Sequence, residues 1–397
     1  SDYLMFSSKD FKGHVARKPG FFAFSVSSTT FSGRALAPAA LAVLLSHCSP
    51  SQDTPAQQSA QVPVNETTEL GLGVDLDNMD RSVRPQDDFF EYVKGGWVEQ
   101  NPIPADRSRW GSFDELREAA EADVLAILQE AAADDAETGT LTQKIGDMYT
   151  AFMAADAIEA QGVAPLADDL AQIDALASHE QLLAYWAGAA EHSRMAPFRY
   201  SISQDQGQSD QYITTMGQSG LGLPDRDYYV SDSERYETIR EQYVAHISRM
   251  FELAGMLSGD EALAAANRVY EVERRIALGH WTRVQNRDRT ATYNRVTPEE
   301  LATLAPDLNW ASYLDDAGLS GIDALVVRQP PYLQHVASFY RDIDVADWQD
   351  YQRYHLLRMS APYLSSAFVD EHFDFFGRTL SGQPEMRSRE MRAVNAV

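Results

Sequence analysis

Three arginines crowd one short stretch of an acidic chain. Arg107, Arg109 and Arg117 fall within "DRSRWGSFDELRE", Asp106 to Glu118, although the 397 residues carry a formal net charge of −26. Guanidinium groups grip carboxylates through two parallel hydrogen bonds. Ser112 followed three residues later by Glu115 reads as a capping box, which predicts a helix from Phe113 whose unsatisfied N–H groups turn back toward Gly111 and Arg109. A helix start beside arginines is a seat for an anionic ligand group. On spacing alone a second reading stands beside it, in which the three arginines pair with Asp106, Asp114, Glu118 or other acids of the chain.

The elements that must position these groups are mostly helical. Beyond residue 71, Phe113, Leu116, Ala120, Val124, Ile127 and Ala131 recur at steps of three and four. Leu141, Ile145, Met148 and Phe152 do the same, as do Tyr236, Ile239, Tyr243, Ile247 and Met250. Each set is expected to be a stripe facing a core. One stretch breaks the rhythm: Phe198, Tyr200 and Ile202 alternate with polar residues, "QDQGQSD" turns the chain, and Tyr212, Thr214 and Met216 follow, which predicts a β-hairpin. No internal repeat has a fixed period, so a solenoid is not indicated. The expected fold is mainly α, a large multi-helix lobe with a small β-hairpin element.

Composition limits the partners. At 44% hydrophobic and 23% charged, the chain can bury a large core. Its 59 carboxylates against 33 Lys and Arg argue against nucleic acid, which is bound by basic side chains. The single cysteine, Cys48, forms no internal disulfide. Residues 1–48 hold five basic residues against two acidic ones, a net +3, so the remainder carries −29. Within 34–48, Arg34 precedes the short apolar run "ALAPAALAVLLS", which reads as a signal segment too short to span a bilayer. "LLSHCSPSQ" then resembles a lipoprotein signal with Cys48 as the lipidated residue, although His47 replaces the small residue usual there. An ordinary secretory signal is the other reading, and either predicts export, to the periplasm or a lipid anchor in a bacterial membrane. Residues 1–33 fit neither. Residues 49–70, rich in Ser, Gln, Pro and Thr, are expected to be a flexible tether.

"RPQDDFFEYVKGGWVEQNPIPADRSRWGSFDELRE", Arg84 to Glu118, resembles the opening of the neprilysin-like zinc metallopeptidases. "GLGLPDRDYY", Gly220 to Tyr229, and "RDRTATYNRVTPEEL", Arg287 to Leu301, resemble later motifs of that family in the same order, with weaker likenesses in "QPPYLQHV", "YQRYHLLRMSAPYLSSAF" and "RSREMRAVNAV". The lack of paired cysteines fits the bacterial branch. The resemblance implies zinc peptidases that cut short peptides in a chamber between a catalytic and a helical lobe, and residues 71–397 match mainly the helical one. It also implies roles for two of the arginines: the family's pattern Arg, aromatic, Gly, any, Phe, Asp, any, Leu, Arg falls on Arg109 to Arg117, and its two arginines help hold the C-terminal end of a bound peptide.

The zinc chemistry that the family needs, two His one turn apart with a Glu between and a further Glu downstream, is not written in these residues. In "SHEQLLAYW", His179-Glu180 is followed by Leu183 where the second His would stand, so the stretch is expected to be an ordinary helix start capped by Ser178. His192, His246, His280, His335, His355 and His372 also lack a partner at ligand spacing. "MRSREMRAVNAV" remains helix-like to Val397, which suggests a chain truncated before a C-terminal catalytic domain carrying the zinc. These residues alone are expected to bind no zinc and to cleave nothing. The alternative is a non-catalytic exported module that binds peptides or a partner, and a purely structural helical lipoprotein is a third possibility.

Overall fold

The computed structural model describes residues 75–192 and 194–396; Cys48, the signal-like segment 34–48 and the tether 49–70 lie outside the described residues. The described residues fall into two compact units, 75–100 and 101–396. In the smaller, a 3₁₀ turn at Leu76–Asn78, capped by the Asp75 carboxylate accepting from the Asp77 N–H (3.0 Å), packs against helix α1, Phe89–Gln100.

The larger unit runs through α2 (Ser112–Ala133), α3 (Leu141–Met153), α4 (Ala155–Gln161), α5 (Ala167–Asp174), α6 (His179–Ala187) and α7 (Ala189–His192) to strands β1 (Phe198–Gln204) and β2 (Tyr212–Gln218). Then come α8 (Asp227–Val230), α9 (Glu234–Leu253), α10 (Gly259–Gly279), β3 (Asn294–Val296), α11 (Pro298–Leu304), α12 (Trp310–Asp316) and β4 (Leu325–Val327). It closes with α13 (Pro330–Phe339), α14 (Val345–Ser360), α15 (Ser366–His372), a π-helical stretch at Phe373–Leu380 and α16 (Arg389–Ala396). The fold is mainly α with one small sheet, as expected.

Its main core is built where α9, α10 and α14 meet. α9 buries Ile239, Tyr243, Ile247 and Met250 of the predicted stripe, with its first member, Tyr236, half-buried. α10 faces it with small residues, Ala262, Ala265 and Ala266, which let the two helix axes approach closely, while α14 contributes Trp348, Tyr351, Tyr354 and Leu357. The predicted hairpin forms, with Phe198 opposite Gln218 and Gln204 opposite Tyr212. It also gains two strands that are too short to show a period of two: β4 joins β2 in parallel and β3 joins β4 antiparallel, giving the order β1-β2-β4-β3.

A second, smaller core gathers Leu128 of α2, Tyr149 of α3 and Ala393 of α16. A Cβ on Gly146 would lie 2.4 Å from the Ala131 carbonyl oxygen, so only glycine allows this spacing of α2 and α3. Here the sequence expectation fails in part. Of the α2 stripe only Ala131 is buried; Phe113 is 85% and Leu116 68% exposed, Val124 and Ile127 are also exposed, and so is Leu141 of the α3 stripe. These stripes lie at helical spacing, but among the described residues of this unit no element covers most of them.

Candidate functional site

The arginine-bearing helix starts one residue earlier than expected. The Gly111 carbonyl accepts from Glu115 N–H (3.0 Å) and Asp114 N–H (2.8 Å), so Gly111 is the cap and Ser112 the first helical residue. Ser112 is then too far into the helix to cap it, and the capping box does not form. The first-turn N–H groups are left without a side-chain acceptor at this cap, and the helix end keeps its partial positive charge.

The three arginines have separate fates. Arg107 is largely buried, 3.3 Å from Glu121 Oε2, with its guanidinium 5.9 Å from the Trp110 ring centre. Arg387, just ahead of α16, grips the same Glu121 with Nη2 at 2.6 Å and Nη1 at 3.1 Å. Burial pushes the Glu121 carboxyl up, but the hydrogen bonds and charges of Arg387 and Arg107 outweigh it and hold it below its ordinary value. For Arg107, then, the internal pairing reading holds. Arg109 is half free: its side chain is 73% exposed, and only its Nε approaches a carboxylate, Asp114 Oδ1 at 3.5 Å. Arg117 is exposed and makes no ion pair or hydrogen bond with any described residue. One helical turn from exposed Phe113, it presents a full guanidinium fork beside an apolar surface. Such a face can hold a carboxylate attached to an apolar body.

The histidines are occupied elsewhere. Ser178 caps α6 by accepting from Gln181 N–H (3.2 Å), as expected, and His179 Nε2 lies 2.9 Å from the Ile343 carbonyl. Glu180 pairs with Arg341 (2.8 Å), and Leu183 is core. His280 and His335 each meet a backbone carbonyl, Ser219 (3.0 Å) and Arg275 (2.7 Å). His246 meets Glu371 (2.8 Å) and stacks on Phe375, and His372 packs against Phe376. Among the described residues no three His, Cys, Asp or Glu come together as a metal site. Two-residue pairs scattered over several helices do not fit an HExxH-type zinc centre, so no catalytic step is derived through a metal.

The segment Gly220–Tyr229 rests on a polar cluster that the sequence reading missed. Glu273 of α10 is fully buried, accepts from the Tyr243 hydroxyl (2.9 and 3.0 Å) and from Tyr229, and has His355 Nε2 2.9 Å away, though bent from the line of a good hydrogen bond. The Tyr229 hydroxyl in turn accepts from Leu223 N–H (2.9 Å), and Tyr351 donates to the Gly220 carbonyl (2.9 Å). Burial, then the nearby Glu273 charge, raises the pKa of both Tyr229 and Tyr243, while burial lowers that of His355. A Cβ at Gly222 would fall 1.9 Å from the Tyr243 oxygen, so this segment can lie on the cluster only as glycine. The signal was available: Glu273 occupies the same register as Val269 and Ile276, an acid on a buried face.

A model of peptidase family M13 matches residues 85–397. Endothelin-converting enzyme 1 of Mus musculus is 29% identical over 309 residues, covering 74% of this chain and 39% of that protein. Neprilysin of Mus musculus is 25% identical over 354 residues, covering 81% and 46%. The crystal structure of Mycobacterium tuberculosis zinc metalloprotease Zmp1 in complex with an inhibitor superposes with a TM-score of 0.77 at 36% identity, covering 82% of this chain and 49% of that one. The chain spans less than half the length of each of these relatives.

Proposed function

Because the chain belongs to peptidase family M13 and corresponds to the N-terminal part of its neprilysin-like zinc metallopeptidases, we propose that it is the substrate-enclosing N-terminal portion of an exported zinc metalloendopeptidase acting on short peptides. Arg109 and Arg117 receive the terminal carboxylate of the peptide. The observation that carries this reading is Arg117, exposed and unpaired in an acid-rich helix, with Arg109 73% exposed at the same helix start. The catalytic domain, with zinc and general base, belongs to the part of the family's length that this chain does not span, and the exposed stripe of α2 is the surface it covers. Export rests on the signal-like segment 34–48, with Cys48 as the lipid-bearing residue, which the intact mass of the mature N-terminus would test.

The arginine reading is tested by calorimetry on the 397-residue chain with Ala-Phe-Leu bearing a free or an amidated C-terminus. A hydrogen bond to a charged group contributes about 1.5–3 kcal/mol, so amidation should weaken binding about tenfold or more. Arg117→Ala should erase that difference. Equal binding of acid and amide, or no binding of either, would remove the role assigned to Arg109 and Arg117.

A further inference from the structure

A cavity of about 590 Å³ opens beside Gly220–Arg226, and four arginines line it: Arg199 of β1, Arg226, Arg283 and Arg358 of α14. Asp225 is the one carboxylate in its wall, giving four guanidinium groups against one acid, and it pairs with Arg283. Arg199, Arg226 and Arg358 form no ion pair with any described residue, in a chain where acids outnumber Lys and Arg 59 to 33. Chance pairing should have claimed them first. The Nε atoms of both Arg226 and Arg358 are buried with no acceptor, so they have lost water without a protein partner to replace it. The imidazole of His280 adds no charge at neutral pH, since burial lowers its pKa to about 4. Phe376, 5.1 Å beneath the Arg358 guanidinium, and Leu221 supply an apolar wall.

We propose that this cavity is an oxyanion-binding site, shaped for a carboxylate or phosphate-sized group carried on an acidic peptide side chain or free in solution. Arg226 and Arg358, which have no carboxylate partner, supply guanidinium donors from the wall, Arg199 adds unpaired charge, and Arg283 is the fourth, held by Asp225. A net positive, partly water-excluding cavity strengthens such contacts over those at an open surface. The site is independent of the Arg109 and Arg117 reading, because neither of those residues lines it.

The test is calorimetry on the 397-residue chain at low ionic strength with three probes: inorganic phosphate, acetyl-Ala-Glu-Ala-amide and acetyl-Ala-Gln-Ala-amide. The capped peptides carry no terminal carboxylate, so failure here and failure of the terminal-carboxylate reading are separable. Saturable binding of phosphate or of the glutamyl peptide, at least tenfold weaker in Arg226→Gln and unchanged in Arg274→Gln, an arginine that pairs with Glu271 and does not line the cavity, supports the site. Phosphate alone identifies a free anion as the ligand, and the glutamyl peptide alone identifies an acidic side chain. Arg283→Gln, at a more exposed position, serves if Arg226→Gln loses its far-ultraviolet helix signal. Saturation by neither charged probe, equal binding of the Glu and Gln peptides without phosphate binding, or affinities unmoved by both arginine variants would overturn the proposal.

Discussion

Helices α2 and α9 carry nearly the same apolar rhythm and meet opposite surroundings. α9 sends Ile239, Tyr243, Ile247 and Met250 into the main core, each 6% exposed or less, with α10 and α14 packed against it. α2 holds Phe113, Leu116, Val124 and Ile127 at matching intervals, yet all four are exposed; Leu128, with Leu125 and Ala132 beside it, reaches only a small core. A stripe of spacing three and four therefore records that a helix has a face to cover, and says nothing about what covers it. The polar groups divide in the same way. The acid on the inner face of the α9–α10 pair, Glu273, is enclosed by tyrosines and a histidine, whereas beside exposed α2 residues an arginine, Arg117, stands free.

The largest effect that could break this comparison is truncation within each stripe. Ile247→Ala should cost about 2–5 kcal/mol through lost burial and a residual cavity, while Ile127→Ala should stay within about 0.5 kcal/mol. Thermal and denaturant midpoints would check both, and comparable losses would mean that α2 is as well covered as α9.

Acid should separate the two regions next. Burial lowers the pKa of His246 on α9, of His355, and of His280 to about 4, from an ordinary 6.5. The folded chain keeps these rings neutral while the unfolded chain protonates them, so their contribution is full above pH 6.5 and is lost as pH falls toward 4. Each pKa unit is worth about 1.4 kcal/mol, so His280 alone represents on the order of 3 kcal/mol. The α2–α3–α16 region contains no histidine, and its Glu121 is held below an ordinary 4.5, so its own loss begins only beneath that value. Segment-resolved hydrogen exchange between pH 7 and 4.5 should show α9 and α10 losing protection before the buried end of α2. A flat response of α9 across that window would contradict the buried-neutral histidines.

The smallest effect on stability sharpens the contrast most. Phe113→Ser with Leu116→Ser should leave the melting midpoint nearly unchanged, yet lower dye binding and self-association, because exposed apolar surface is removed and no packing is lost. A drop in midpoint of several degrees would show that the α2 face is already packed against something.

Several local features were legible because their signals lie close together in the chain. Ser178 capping α6, the hairpin from Phe198 to Gln218 and the arginines of Asp106–Glu118 depend on residues a few positions apart. The failed capping box at Ser112 was nearly right and turned on one residue: Gly111 takes the cap because its carbonyl, rather than that of Ser112, receives the first helical bonds. What could not be read were pairings across long separations. Arg387 meets Glu121 from 266 residues away, and Tyr243 and His355 converge on Glu273 from two other helices.

The sequence by itself determined the helical class, the hairpin, the order of motifs that places the chain in its family, and the positions of Arg109 and Arg117. All are set by backbone periodicity and neighbouring side chains, which act over one or two turns. Only the tertiary structure decided which apolar stripes are buried, which arginines found carboxylates, and that Arg226 and Arg358 were left with buried donors around one cavity. Burial and pairing depend on which surfaces remote segments bring together, and no local pattern encodes the arrival of a partner from a distant part of the chain.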